Sequence, residues 1–203
     1  FPLSNEAIQS EIMIAFIDYV LMDYDNAILN YKKIINRYPS HKDLDYVYYM
    51  IAISNYEQLQ NESLDGYFNN LALEAFDQVI KRFPESKYAK DSRQKIILVN
   101  SNIAAKHMEI GRFYLNNKKY IAALNRFKIV IDEFSITKFT PEALHRMVEA
   151  YYEMGMYEDS YNTAALLGYN YPDSKWYKLS YNLVEQIDGE ETFLKKIRNF
   201  FDG

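Results

Sequence analysis

The stretch that decides the fold is YDNAILNYKKIINRYPS, residues 24–40. Its small residue, Ala27, stands three positions after the opening Tyr24. Tyr31 and Ile34 stand seven and ten positions after the same tyrosine. These positions lie on one face of a helix that has 3.6 residues per turn. A small residue lets a neighbouring helix come close, so we predict that the stretch is the second helix of a helix-turn-helix pair.

The pattern recurs along the chain, and each copy ends in an aromatic residue followed by proline or serine. These marks are Phe1-Pro2, Tyr38-Pro39, Phe83-Pro84, Phe134-Ser135 and Tyr171-Pro172. A period of 20–50 residues is typical of stacked repeats, and helical pairs of about 34 residues are typical of the tetratricopeptide class. We therefore predict an all-α, tetratricopeptide-like superhelical array of helix-turn-helix repeats with a C-terminal capping helix. Because a mark already stands at Phe1, we expect a further repeat before it.

The register of the copies divides the chain. We predict one repeat domain over residues 1–187 and a short C-terminal helical tail over 188–203. The stretch 86–102 contains no Gly or Pro, so we expect it to continue through 116 as one long helix. We expect Thr140 to cap the N-terminus of the helix that follows it. The predicted repeats and capping helix are 5–38, 43–83, 86–134, 140–171 and 174–187.

Composition narrows the possible functions. With 203 residues, 49% of them hydrophobic and 16% aromatic, the chain is able to bury a continuous core. It contains no cysteine, which excludes disulfides, thiol catalysis and cysteine metal sites. A formal net charge of −5 argues against general nucleic-acid binding. The apolar stretch 12–22 is interrupted by Asp18 and is too short to span a membrane.

The sequence predicts no catalytic, cofactor or metal site. Glu142 and His145 have the Glu-x-x-His spacing of di-iron bundles, with Glu149 one turn further on, but the chain has one copy where a bundle needs two. There is no Gly-rich phosphate loop and no nucleophile elbow. We therefore expect a protein that is not an enzyme.

Tetratricopeptide arrays bind proteins or peptides on the concave face made by their first helices. In the N-terminal two repeats this register selects an apolar, tyrosine-rich set: Phe16, Tyr19, Tyr46, Tyr49, Ile53 and Tyr56. In the C-terminal two it selects Arg112, His145 and Glu149 among mixed residues, and further charges stand on or beside the same helix as His145. We take as the charged set Arg112, Lys138, Glu142, His145, Arg146 and Glu149. Tyrosine offers a ring and a hydroxyl at low entropic cost, which suits binding. The alternative reading is that some of these tyrosines only pack between helices.

Three segments carry a family resemblance. Residues 39–50, PSHKDLDYVYYM, resemble a segment of the BamD (ComL) family, the lipoprotein of the bacterial outer-membrane β-barrel assembly machinery. Residues 72–76 and 83–92 resemble its next segment, and residues 112–114 with 120–126 resemble a third. The loop around Gly66 is either shorter than in the family or not fully recorded in this sequence, and the tail 188–203 has no counterpart there. The matches span roughly residues 1–172.

The resemblance implies a non-enzymatic scaffold on the periplasmic face of the outer membrane, anchored by a lipid on a segment before Phe1. It also implies that the C-terminal repeats bind the BamA periplasmic domains through the charged set. Unfolded outer-membrane proteins would contact the tyrosine-rich set, and no cofactor is implied. The alternatives are a co-chaperone adaptor that captures peptide C-termini, another cell-envelope tetratricopeptide protein, and a purely architectural scaffold.

Overall fold

The computed structural model describes residues 5–60 and 67–185, and nearly all of them are helical. No strand occurs in these two ranges, so the predicted all-α class is confirmed. The mark at Phe1, residues 61–66 of the loop near Gly66, residues 186–187 of the predicted capping helix and the tail 188–203 lie outside the described residues. The helices are α1 (Asn5–Val20), α2 (Tyr24–Arg37), α3 (Leu44–Glu57), α4 (Tyr67–Arg82), α5 (Lys87–Asn116), α6 (Tyr120–Glu133), α7 (Thr140–Glu153), α8 (Tyr157–Asn170) and α9 (175–185).

The helices form two compact units, Phe1–Val99 and Asn100–Gly203. Helix α5 is continuous over 30 residues, as expected, and contributes its first part to one unit and its second part to the other. In the first unit, one core cluster joins α1, α2 and α3, and a second joins α3, α4 and the start of α5. In the second unit, one cluster joins α5, α6 and α7, and another joins α7, α8 and α9.

Three of the turns within the helical pairs share one backbone feature. Met22, Lys118 and Gly155 each have a positive φ, of 62°, 57° and 72°, and each stands two residues before the second helix begins. This left-handed conformation is uncommon for residues other than glycine. Its recurrence in the same place shows that these pairs close through the same turn.

Small residues of the paired helices lie within the core clusters. Ala15, Ala27, Ala52 and Ala72 have no exposed surface. In the last pair Val148 stands where the first pair has Ala15, yet the Oγ of buried Ser160 donates to the carbonyl oxygen of Val148 at 3.1 Å. A small residue on the second helix therefore keeps α7 and α8 close although the first helix carries a larger one.

Two local features differ from the sequence prediction or go beyond it. Thr140 is the first residue of α7 rather than its cap, and its Oγ1 donates to the carbonyl oxygen of Ser135 at 3.0 Å. The hydroxyl therefore ties the helix to the preceding turn instead of accepting from a helical amide.

Helix α1 is apolar on more than one side, because it buries Ile8, Ile12 and Ala15 and also exposes a second apolar face. That exposed face comprises Met13, Ile14, Phe16, Ile17 and Val20.

We predict that Gly111→Ala destabilises the chain by about 1–2 kcal/mol, although alanine favours helices by up to about 1 kcal/mol over glycine. A Cβ at this position would collide with the ring of buried Phe127, whose Cδ1 and Cζ atoms both lie 2.9 Å from it. Urea unfolding measures the change. The double variant Gly111→Ala/Phe127→Leu should lose less stability than the two single changes added together. A Gly111→Ala protein as stable as the wild type would contradict the close approach of α5 and α6.

Candidate protein-binding sites

The first candidate site is a group of rings that α1, α3 and α5 bring together; we call Tyr19, Tyr46, Tyr49, Tyr56 and Tyr88 the tyrosine cluster. The ring centroid of Tyr88 lies 5.6 Å from that of Tyr46 and 4.9 Å from that of Tyr49. These distances fall within the usual range for interacting aromatic pairs. Tyr19 packs on both core clusters of this unit, and Tyr56 contacts the buried ring of Phe76 at 6.2 Å.

One hydrogen bond fixes the centre of the cluster. The hydroxyl of Tyr49 donates to the carboxylate of Asp91 on α5 at 2.5 Å. Burial, with Asp91 as the next cause, raises the pKa of Tyr49 well above its ordinary value of 10.0. Burial also raises the pKa of Tyr19 and of Tyr46. These phenols therefore stay protonated at neutral pH, so each keeps a hydroxyl hydrogen that it is able to donate.

The residues predicted for client binding differ in accessibility. Phe16 is 36% exposed, while Tyr19, Tyr46, Tyr49 and Tyr56 are half-buried. Ile53 is buried in the core, at 7% exposure, because α3 packs against both α2 and α4. The structure brings the four tyrosines together and places Ile53 beneath them rather than among them.

Sequence reasoning missed Tyr88 and Asp91. Both lie in the first two turns of α5, directly after the repeat mark at Phe83. They belong to residues 87–92, a run already noted for its family resemblance. The position of this run was the available signal. In a stacked array the first helix of one repeat lies beside the first helix of the preceding repeat, so the start of α5 is expected beside α3.

The second candidate site is a set of charges around α7, in which Arg112, Glu142, Arg146, Glu149 and His145 form what we call the ion-pair network. Glu142 accepts from Arg112 at 2.9 Å and lies 3.6 Å from Arg146. Glu149 pairs with Arg146 at 2.7 Å and lies 3.4 Å from the Nε2 of His145. The network connects α7 to α5 within the second unit.

His145 is buried and packs α7 against α9. It is 4% exposed, its Nδ1 lies 2.8 Å from the Oγ of buried Ser180, and its ring packs 5.3 Å from that of Trp176. The guanidinium of Arg146 also lies over the Trp176 ring, at 5.3 Å. Trp176 and Ser180 stand four residues apart on α9, a spacing that places them on one helical face, so α9 packs against α7 through these two side chains.

Lys138 is the exception among the six charged candidates. It is exposed and takes part in none of these ion pairs, and its Nζ lies 5.3 Å from the neighbouring Phe139 ring. Of the charged set it is therefore the residue most accessible to a partner protein.

The network has a defined electrostatic consequence at Glu149. Burial would raise the pKa of this carboxyl, but hydrogen bonds from His145 and Arg146 outweigh burial and lower it from its ordinary value of 4.5. The carboxylates of Glu142 and Glu149 serve ion pairs, and no group of acidic and histidine side chains in residues 5–60 and 67–185 is arranged to hold a metal ion. In the same ranges, no helix combines the length and the apolar character needed to cross a membrane.

We predict that Glu149→Gln lowers the free energy of unfolding at pH 7 by about 1 kcal/mol. A carboxyl whose pKa is lowered in the folded state stabilises the protein above the unfolded-state pKa, and this stabilisation is lost as the pH falls through the folded-state pKa. The difference between wild type and variant should therefore shrink below about pH 4.5. Urea unfolding between pH 3 and 7 measures it, with the exposed Glu109→Gln as matched control. A difference that does not change with pH would contradict the assignment.

Comparison with known proteins finds a family match over most of the chain. Residues 1–167 match the YfiO family, described as outer membrane lipoprotein. Outer membrane protein assembly factor BamD of Rickettsia prowazekii (strain Madrid E) is 41% identical over 177 residues, which is 87% of this chain and 70% of that protein. The protein of the same name from Caulobacter vibrioides is 39% identical over 90% of this chain. The chain spans 60% of that relative's length.

A solved structure of a thermophilic TPR protein from Thermus thermophilus covers 89% of this chain and 100% of its own, at 18% identity and a TM-score of 0.35. That score is too low to support an argument, so the fold class rests on the helices themselves. The family match covers most of the chain, and it confirms the resemblance carried by residues 39–50, 72–92 and 112–126. The chain belongs to the YfiO family of outer membrane lipoproteins, which includes relatives named outer membrane protein assembly factor BamD.

Proposed function

We propose that the chain is a non-enzymatic scaffold for the assembly of outer-membrane proteins, located on the periplasmic face of the outer membrane. Its first unit binds unfolded outer-membrane protein clients, and its second unit binds the periplasmic domains of a BamA-like protein. The observation that carries the proposal is the half-buried tyrosine cluster beside the exposed apolar face of α1, in a chain whose relatives are named assembly factors. Their full length exceeds that of this chain, so activity of the whole protein remains part of the proposal.

The tyrosine cluster suits an unfolded β-barrel client. Strands of such proteins alternate apolar and polar residues and carry aromatic residues near their ends. Phe16 stacks on Tyr19 at 6.1 Å and is exposed, so its ring extends the cluster onto the exposed face of α1. Rings bind apolar side chains of many sequences, and protonated tyrosine hydroxyls are able to bond peptide carbonyls. The combination supports binding that tolerates different client sequences.

The charged set suits a folded partner. Arg112, Arg146, Glu142 and Glu149 keep 15% to 37% of their side-chain surface exposed while they pair with one another. Lys138 adds an exposed positive charge in the turn just before α7. Charges at the edge of an interface set the association rate and the register of docking more than they set affinity.

Capture of a peptide C-terminus, the co-chaperone alternative, is less well supported. That function uses several basic side chains to hold a terminal carboxylate. Arg112 is the only basic residue that the register places on the first helices in our candidate set, and it already pairs with Glu142 at 2.9 Å. A terminal carboxylate would have to displace this ion pair.

We predict that Phe16→Ala weakens binding of an unfolded β-barrel protein, diluted from urea, by about threefold to tenfold, the worth of one aromatic contact. The side chain is exposed, so stability should change little. Fluorescence anisotropy with a labelled client measures the affinity. Leu29→Ala, which truncates an apolar side chain of 50% exposure on α2, is the control and should change affinity less than about twofold. Equal losses in both variants would show that the ring has no special role.

We predict that Lys138→Glu slows association with the periplasmic domains of a BamA-like protein several-fold at low salt, and that the difference fades as the salt concentration rises. Stopped-flow fluorescence over a salt series measures the rate. Lys128→Glu makes the same charge change at an exposed position on α6 and serves as control. If both variants associate at the wild-type rate, the partner does not dock beside α7. The Lys138 change leaves the ion-pair network intact, so a slower rate does not reflect unfolding.

A further inference from the structure

The first unit has a groove that the proposed function does not use. It lies between α2 and α4, over α3, and has a volume of about 460 Å³. Ile35, Ile51 and Ala75 give it an apolar floor. No residue of the tyrosine cluster lines it. Its size falls within the usual range of ligand-binding pockets, which combine an apolar lining with a few polar groups.

Two cations on the rim have no acidic partner among the described residues. Lys32 lies on α2 and Arg82 in the last turn of α4. The Arg82 guanidinium lies 5.0 Å from the centroid of the Tyr48 ring, and its Nε donates to the Oε1 of Gln78 at 3.1 Å. Within residues 5–60 and 67–185, no carboxylate forms an ion pair with either cation. Glu74 is the one acid among the described lining residues, so the rim carries a net positive charge in a chain whose net charge is −5.

A buried carboxamide in the lining has unused hydrogen-bonding capacity. Asn55 is 7% exposed, and its Nδ2 donates to the carbonyl oxygen of Ile51 at 2.9 Å. An asparagine amide has two donor hydrogens and an acceptor oxygen, and this is the one bond that the described residues make with it. Asn55 lines the groove, so the remaining donor hydrogen and the acceptor oxygen are available to a ligand that binds there. An extended peptide offers both a carbonyl and an N–H, whereas the backbone of a helix has already used them.

We propose that this groove binds an extended segment of a partner protein in which apolar side chains alternate with carboxylates. The apolar side chains lie on Ile35, Ile51 and Ala75. The carboxylates pair with Lys32 and Arg82, and one peptide group bonds the carboxamide of Asn55. This site is separate from the surfaces proposed for the client and for the BamA-like partner.

The test uses the 203-residue chain and fluorescein-labelled nine-residue peptides. One peptide alternates leucine and glutamate, a second replaces every glutamate by lysine, and a third replaces every leucine by serine. We expect the first to bind with a Kd below about 1 mM and the other two to bind at least about tenfold more weakly. Equal binding of the glutamate and lysine peptides, or no binding of the first, would overturn the proposal.

Variants locate the bound peptide. Lys32→Glu/Arg82→Glu should weaken the glutamate peptide by about tenfold, and Gln78→Trp should do the same by filling the groove from an exposed position. Lys90→Glu/Lys128→Glu makes an equal charge change at exposed positions and should have less than about a twofold effect. Lys32→Glu alone, at an exposed position, repeats the test if the double variant unfolds. Binding that is lost in Phe16→Ala and kept in the groove variants would place the peptide on the tyrosine cluster and overturn the proposal.

Discussion

The close approach of the two helices in each pair is the constraint on which the rest of the structure depends. It requires a small residue at the crossing, which Ala15 and Ala27 supply in the first pair and Gly111 supplies in the third. Once the helices are close, the aromatic residue one turn further along the second helix packs into the core beside the crossing. Tyr31, Phe76 and Phe127 all fill that place and have no exposed surface. The small residue therefore determines where the large one is buried, and the two together set the spacing of the candidate binding side chains.

Much of the fold followed from this constraint and could be predicted from the sequence. The pattern of Ala27, Tyr31 and Ile34 identifies the buried face of a second helix, because that face has one neighbour in the pair and one in the next repeat. Helix α1 could not be assigned in the same way. Its apolar residues occur on more than one side, so a period of 3.6 residues does not tell Ile12, which is buried, from Ile14, which is 55% exposed.

The candidate site was predictable to a smaller extent, because the periodicity gives the face of a residue but not its neighbours. Tyr46 and Tyr49 share a face, and the spacing showed this. Their neighbours come from the start of α5: Tyr88 packs against both rings, and Asp91 accepts from Tyr49. Tyr88 stands 39 residues after Tyr49, so the local spacing does not show this contact. His145 illustrates the opposite case. Its register placed it with the charged set, but Trp176 and Ser180 cover it. The capping helix itself was predicted, but the periodicity of α7 does not show which α7 residue the capping helix covers.

For the client binding that we propose, the contacts that hold the tyrosine cluster in the fold are also an advantage. A side chain that becomes ordered on binding costs about 0.5–1.5 kcal/mol, which weakens the complex. Tyr49 has already lost that freedom, because Asp91 holds its hydroxyl and Phe76 packs against its ring at 6.4 Å. A half-buried ring therefore offers less area than an exposed one but loses less entropy when a client binds. Packing between helices and the proposed binding of a client are thus not exclusive roles for a tyrosine, because packing lowers the entropy that the ring would lose on binding.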